Sequence, residues 1–349
     1  MTAPRWWIYQ GTSTPHDGVD RLPPAPPWRA FVPDPSAPRP SPVPVQMTEE
    51  AASRRLGRWR RAAAYQADEK EIHLVNMALH LRRPLLVTGR PGVGKSTLAY
   101  SVAHELGLGP VLRWPISSKS VLQEGQYHYD AISRLQDIGL RPGHLRDTAD
   151  PRFEPPDIGH YLRLGALGTA LLPWQRPRVL LIDEIDKSDL DLPNDLLNVF
   201  EEGEFTVPEL ARLENESVQV MTADDGHRAV LRQGRVRCTQ FPLVILTIND
   251  EREFPPAFLR RCLRLEIPRA DQDRLARMVA AHLSGPDAVD TGPRQELITR
   301  FLRKQREEGA DLANDQLLNA LLMAARGLWD DDTGRQLLDQ HVLRSLGEG

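Results

Sequence analysis

Cysteine is scarce in this 349-residue sequence: Cys238 and Cys262 are its only two. Two thiols cannot build a disulfide framework, and their spacing fits no metal-ligand pattern, so a reducing compartment is the default expectation. Long apolar runs are missing as well. No stretch approaches the roughly 18 apolar residues of a membrane span, and the N-terminus lacks a charged-then-apolar leader pattern. A cytoplasmic protein with no membrane partner is the resulting expectation. Charge of one sign is also in short supply. A formal net charge of −4 gives no chain-wide reason to expect nucleic acid, which would need a local basic surface. What is present is ordinary for a globular protein: 40% hydrophobic and 26% charged residues, with length enough for about two domains and a large core.

The most informative stretch is Gly89-Arg90-Pro91-Gly92-Val93-Gly94-Lys95-Ser96, preceded by apolar Leu85-Leu86-Val87 and followed by Thr97-Leu98-Ala99. A buried strand, a glycine-rich turn and a helix start in this order form a phosphate cradle. The glycines let backbone N–H groups converge on phosphate, Lys95 supplies a point charge and Ser96 offers a hydroxyl to Mg²⁺. A nucleoside triphosphate is the implied ligand, bound by residues 89 to 97.

Residues 1 to 47 read as a separate extension. Twelve of the first 44 residues are proline, which removes backbone donors and favours extended conformations, as in a linker or strap. Trp6-Trp7-Ile8-Tyr9 is unlike a solvated tail and is expected to dock on the body of the protein, or else to await a partner. From Met47 the composition turns helical. Arg54, Arg55, Arg58, Arg60 and Arg61 read as a solvated helix face, with contact to phosphate or nucleic acid as the alternative, and Ile72, Val75, Ala78, Leu79 and Leu81 repeat at helical spacing.

A second chemical anchor is Val179-Leu180-Leu181-Ile182-Asp183-Glu184. Four apolar residues ending in two carboxylates describe a buried parallel strand whose tip carries acid groups to the ligand crevice. Asp183 is positioned to hold Mg²⁺ through water, and Glu184 to orient and deprotonate an attacking water. Between the strand at Val111 to Trp114 and this one lie about sixty residues, more than a loop needs. They read as an insertion with helical pieces at Tyr129 to Gln136 and Leu162 to Leu172. Asp191 to Glu202 reads as a helix. Phe205 to Val207 is followed by a hairpin, Val218 to Met221 and Ala229 to Leu231, turning at Asp225-Gly226. The strand Leu243 to Ile248 ends at Asn249, which either contacts the terminal phosphate or the water, or simply makes a turn. Arg260 and Arg261 close a short helix before the strand Leu263 to Ile267. Beyond Pro268 only amphipathic helices are expected, near residues 271–283, 294–308, 314–328 and 334–346, as a small helical domain.

Together, these features resemble an AAA+ ATPase. Leu180 to Ile185, Asn194 to Leu197, Phe200 to Glu204 and Phe254 to Leu259 resemble more narrowly the MoxR and dynein-related group, with the likeness covering residues 48 to about 345. It implies an α/β P-loop module at 48–268, a parallel sheet flanked by helices, and an all-helical lid at 269–349. It also implies ATP and Mg²⁺ as ligands, Lys95 and Ser96 in Walker A, Asp183 and Glu184 in Walker B, and Asn249 as sensor 1. Arg261 would be the finger that reaches a neighbour's nucleotide, with Arg260 as its fallback. The insertion and the hairpin near Asp225 are similar in placement to segments lining the pore face in that group. Self-association into a ring, read as a hexamer, and a client with a von Willebrand factor A-type domain are implied by the resemblance alone. One departure stands out: Leu312 to Leu317 has no arginine where sensor 2 is common, and Arg326 is a weak substitute.

Two other classes compete. A GTPase would carry Asn-Lys-x-Asp, yet no asparagine in the chain precedes lysine. A non-hydrolysing nucleotide switch would be expected to lack Glu184 or the arginine pair, and both are present.

Overall fold

A computed structural model describes residues 4–31, 62, 64–139, 157–213, 217–249, 253–282, 291–307, 312–329 and 331–345. The strands, in chain order, are β1 (Leu85–Thr88), β2 (Leu112–Pro115), β3 (Tyr127–Tyr129), β4 (Leu162–Leu164), β5 (Val179–Asp183), β6 (Glu204–Thr206), β7 (Ser217–Met221), β8 (Arg228–Arg232), β9 (Arg235–Arg237), β10 (Leu243–Thr247) and β11 (Leu263–Glu266). Five of them form a parallel sheet in the order β11-β1-β10-β5-β2. Strands β5 and β10 are buried at every position, which is why they read as continuous apolar runs: both faces of the sheet are covered. One face packs against the helices Glu69–Leu81 and Lys95–Glu105, the other against the helix Asp191–Glu202 and a second sheet. Parallel pairing places the carboxyl tips of β1, β5 and β10 side by side. The glycine turn, Asp183-Glu184 and Asn249 therefore meet at one edge.

The second sheet runs β3-β4-β7-β8-β9-β6. Its centre is the expected hairpin, with Val218 opposite Leu231. Gln233 and Gly234 then turn the chain into β9 with φ of 48° and 67°, the twist a two-residue hairpin prefers. The stretch Leu162 to Leu172 is not the helical piece its sequence suggests. Leu162–Leu164 is a strand paired with β3, and only Ala166–Ala170 is helical. Gly165 separates the two because a Cβ there would sit 2.4 Å from the carbonyls of Glu124 and Gly125. The neighbouring helical piece is shifted: Tyr127–Tyr129 is strand and the helix is Ala131–Gly139.

The docking expected of Trp6 to Tyr9 is divided. Ile8 and Tyr9 are buried in the cluster that holds Leu85 and Val87, whereas Trp6 is 40% exposed and Trp7 half-buried. Asn76 replaces the strand partner that this segment lacks. Its Oδ1 accepts the N–H groups of Ile8 and Tyr9 at 2.6 and 3.0 Å, and its Nδ2 donates to the Tyr9 carbonyl at 2.7 Å. The buried Glu105 carboxylate accepts from the N–H of Gln10, Gly11 and Ser13. The basic cluster at residues 54–61 and the proline run from 33 lie outside the described residues.

The helices Gln272–His282, Thr291–Glu307, Asn314–Met323 and Asp332–Leu337 follow the last strand and bury a cluster of their own around Leu275, Leu297, Phe301, Leu317 and Leu321. The third does not run unbroken to Leu328, because Gly327 takes φ 88° and kinks the chain.

Candidate active site

The glycine turn is built as its sequence requires. Gly89, Gly92 and Gly94 have φ of 142°, 76° and 105°, values that side-chain-bearing residues rarely adopt. A Cβ at Gly89 would lie 2.5 Å from the Ile267 carbonyl, so substitution is blocked by backbone as well. Gly94 caps the eleven-residue helix that begins at Lys95, and the helix's free N–H groups face the turn. Pro91 to Thr97 line a cavity of about 500 Å³, together with Arg113, Asp183, Glu184, Thr247, Asn249 and residues of the C-terminal helices. Gly89 and Arg90 contribute backbone instead: their carbonyls accept from Lys95 Nζ at 2.5 and 3.0 Å.

Lys95 Nζ also donates to Asn249 Oδ1 at 2.8 Å, which joins the turn to the tip of β10. The Asn249 N–H donates to Asp186 at 2.8 Å. Asp183 carries four donors. Ser96 Oγ and Thr247 Oγ1 reach its Oδ1 at 2.7 and 2.8 Å, and Arg113 reaches Oδ2 through Nε at 3.0 Å and Nη2 at 2.7 Å. Burial alone would push the Asp183 carboxyl up. The bonds from Ser96, Arg113 and Thr247 outweigh it and hold the group below the usual carboxylate range.

Glu184 sits at φ 62°, ψ 51°, an uncommon conformation for a residue with a side chain. The turn is held by the Glu184 N–H, which donates to Thr247 Oγ1 at 2.8 Å. Strained backbone of this kind costs about 1–3 kcal/mol and clusters at functional sites. The side chain is 43% exposed and paired with Lys187 at 2.7 Å.

Arg260 and Arg261 are exposed and do not line this cavity. Arg261 Nε donates to Glu201 at 2.7 Å, and Glu201 also pairs with Arg29 of the N-terminal segment at 3.3 Å. Arg326 is exposed and likewise absent from the cavity wall. The C-terminal helices reach the cavity by other residues. Asn314 N–H donates to the Gly92 carbonyl at 3.3 Å, and Arg274 pairs with the buried Glu71 at 2.7 Å while its guanidinium lies 5.8 Å from the Tyr65 ring centre. Arg113, Thr247, Tyr65 and Arg274 all escaped the sequence reading. Thr247 and Arg113 did leave a faint signal, a polar residue near the tip of a buried strand and an arginine within an alternating one.

The residues fit a nucleotide and its metal. Hydroxyl and carboxylate oxygens at Ser96 and Asp183 are the hard donors Mg²⁺ takes when phosphates complete its shell, and the cradle has room and positive charge for a triphosphate. Fold and site define a P-loop nucleotide-binding protein. The chain belongs to the AAA domain family, dynein-related subfamily, whose family model matches residues 84–262. No curated protein matches the sequence.

Proposed function

We propose that this protein binds ATP with Mg²⁺, hydrolyses it, and uses the change of nucleotide state to remodel a partner protein. The observation that carries the reading is the meeting of two hydrogen-bonded groups at one edge of the parallel sheet, Lys95 with Asn249, and Ser96 with Asp183, Thr247 and the Glu184 N–H. In this reading the N–H groups of residues 92–97 and Lys95 bind the phosphates, and Lys95 exchanges the carbonyls of Gly89 and Arg90 and the Asn249 side chain for phosphate oxygens. Ser96 and Asp183 would hold the Mg²⁺, which would supply positive charge to offset that of the phosphates. Glu184, released from Lys187, takes the proton of the attacking water. Asn249 orients that water or the terminal phosphate.

The three parts are an extension at 1–47, a nucleotide-binding domain at 48–268 and a helical lid at 269–349. Arg261 does not line its own cavity and pairs with Glu201, which supports a role at a neighbour's nucleotide within a ring, read as a hexamer; Arg260 is the alternative finger. A client bearing a von Willebrand factor A-type domain rests on the resemblance alone. The Lys187–Glu184 ion pair favours a second reading, a nucleotide-dependent switch that does not hydrolyse.

Phosphate release by purified protein separates the two. Wild type is expected to turn ATP over, Lys95→Ala to lose ATP binding by calorimetry, and Glu184→Gln to bind normally but hydrolyse at least about 10²-fold more slowly. Equal turnover in wild type and Glu184→Gln overturns the assignment of the base, and no turnover in wild type favours the switch.

A further inference from the structure

The protein's own donors saturate Asp183. A carboxylate has about four acceptor sites, and protein donors fill them all: Ser96 and Thr247 on Oδ1, Arg113 twice on Oδ2. The Ser96 bond is compatible with a metal, because a hydroxyl can give its proton to Asp183 and its lone pair to Mg²⁺. Thr247 is fixed by its strand and by the Glu184 N–H it accepts. Oδ2 is therefore the oxygen on which a metal-bound water would have to land, and Arg113 covers it. Of the donors, Arg113 is also the one able to leave: its side chain is 41% exposed, whereas Thr247 is buried. A guanidinium does not lose its charge, so it cannot share a small space with a divalent cation without repulsion.

We propose that Arg113 is a positioning residue that occupies the metal's side of Asp183 and yields it when Mg²⁺ enters with the nucleotide. The proposal rests on the reading of Ser96 and Asp183 as the metal site. In the metal-free state Arg113 keeps a largely buried carboxylate compensated and correctly turned. The energy of that pair is then set against metal binding, so the site accepts Mg²⁺ only with a triphosphate that contributes further ligands. Arg113 lines the same cavity, and a released guanidinium stays at its wall.

The test is a Mg²⁺ titration of the full chain with a fluorescent, non-hydrolysable ATP analogue, comparing wild type with Arg113→Gln and Arg113→Lys. Arg113→Gln is expected to reach the half-maximal metal effect at about tenfold less Mg²⁺, the scale of one charge-assisted hydrogen-bonded pair. Affinity for the metal-free analogue should not improve. Arg113→Lys, which keeps the charge and loses one of two bonds, should shift the same way by less; it carries the test if the glutamine variant does not fold. Mn²⁺ binding followed by electron paramagnetic resonance should give the same order. An unchanged or raised Mg²⁺ requirement in both variants overturns the proposal, and a raised one makes Arg113 an aid to metal binding. Wild-type binding that ignores Mg²⁺ removes the metal site itself, a failure distinct from variants that match a metal-responsive wild type.

Discussion

Arg178 precedes β5 and is wholly buried, with its guanidinium donating to Asp224 through Nη1 at 2.7 Å and Nη2 at 2.9 Å. Nη2 also reaches the Pro110 carbonyl at 2.9 Å, and the group lies 4.8 Å from the Trp174 ring centre. This pair pins the turn of the β7–β8 hairpin to the root of the strand that carries Asp183. Replacing Arg178 with Met keeps an apolar stem of similar length but strands the Asp224 carboxylate, whose own side chain is only 4% exposed. Breaking one partner of a buried pair costs about 3–5 kcal/mol. At about 2–4 °C per kcal/mol for a domain of 150–250 residues, Arg178→Met should lower the melting temperature by about 10 °C. The double variant Arg178→Met, Asp224→Leu should recover most of the loss, because removing both charges also removes their desolvation. Thermal melts by circular dichroism without nucleotide measure both. A single variant within about 2 °C of wild type, or a double variant no better than the single, would refute the reasoning.

Arg261→Ala is expected to bind ATP normally yet hydrolyse it about 10³-fold more slowly, and mixing with Glu184→Gln subunits should restore some turnover by pairing intact sites across one joint; mixtures that stay inactive while subunits exchange exclude action in trans. Asn76→Leu leaves two buried N–H groups and one carbonyl without their side-chain partner, at about 1–3 kcal/mol each. It should raise amide exchange at Ile8 and Tyr9 well before it affects Leu85, and equal protection in variant and wild type would show that burial of Ile8 and Tyr9 alone holds the segment.

The sequence disclosed the parts of the site that depend on short-range chemistry. Gly89 to Ser96, Asp183-Glu184 and Asn249 are each a strand tip followed by a turn, and a parallel sheet must bring such tips to one edge. The residues that hold them could not be read the same way. Arg113 meets Asp183 across 70 positions and Thr247 across 64, and nothing in the spacing announces the pairing. Beyond its expected hairpin, the second sheet was hidden for another reason: β3, β4 and β9 have three residues each, too few for a period of two to show. Leu162 to Leu172 misleads because its leucines satisfy both patterns, and the choice is made by contacts of Gly165 and Gly168 with backbone far along the chain. Asn76 is similar, a polar residue in an apolar helical stripe whose partner is sixty-seven positions away.

Four charges at the cavity are already matched: Lys95 by carbonyls and Asn249, Asp183 by Arg113, Glu184 by Lys187, and Arg274 by Glu71. Under the proposed function, ligand entry is then an exchange of partners rather than an addition of contacts. The net gain is the difference between two sets of charge-assisted bonds, which limits affinity but makes each exchange mechanically visible. When Lys95 turns from Asn249 to phosphate, Asn249 loses a side-chain partner while its N–H stays tied to Asp186. Asp186 lies two residues beyond Glu184 in the short helical turn Ile185–Lys187, which also presents Lys187 to the Glu184 carboxylate. Thr247, two residues before Asn249, holds the Glu184 N–H. Occupancy at Lys95 therefore has two short covalent and hydrogen-bonded routes to the strained backbone of Glu184.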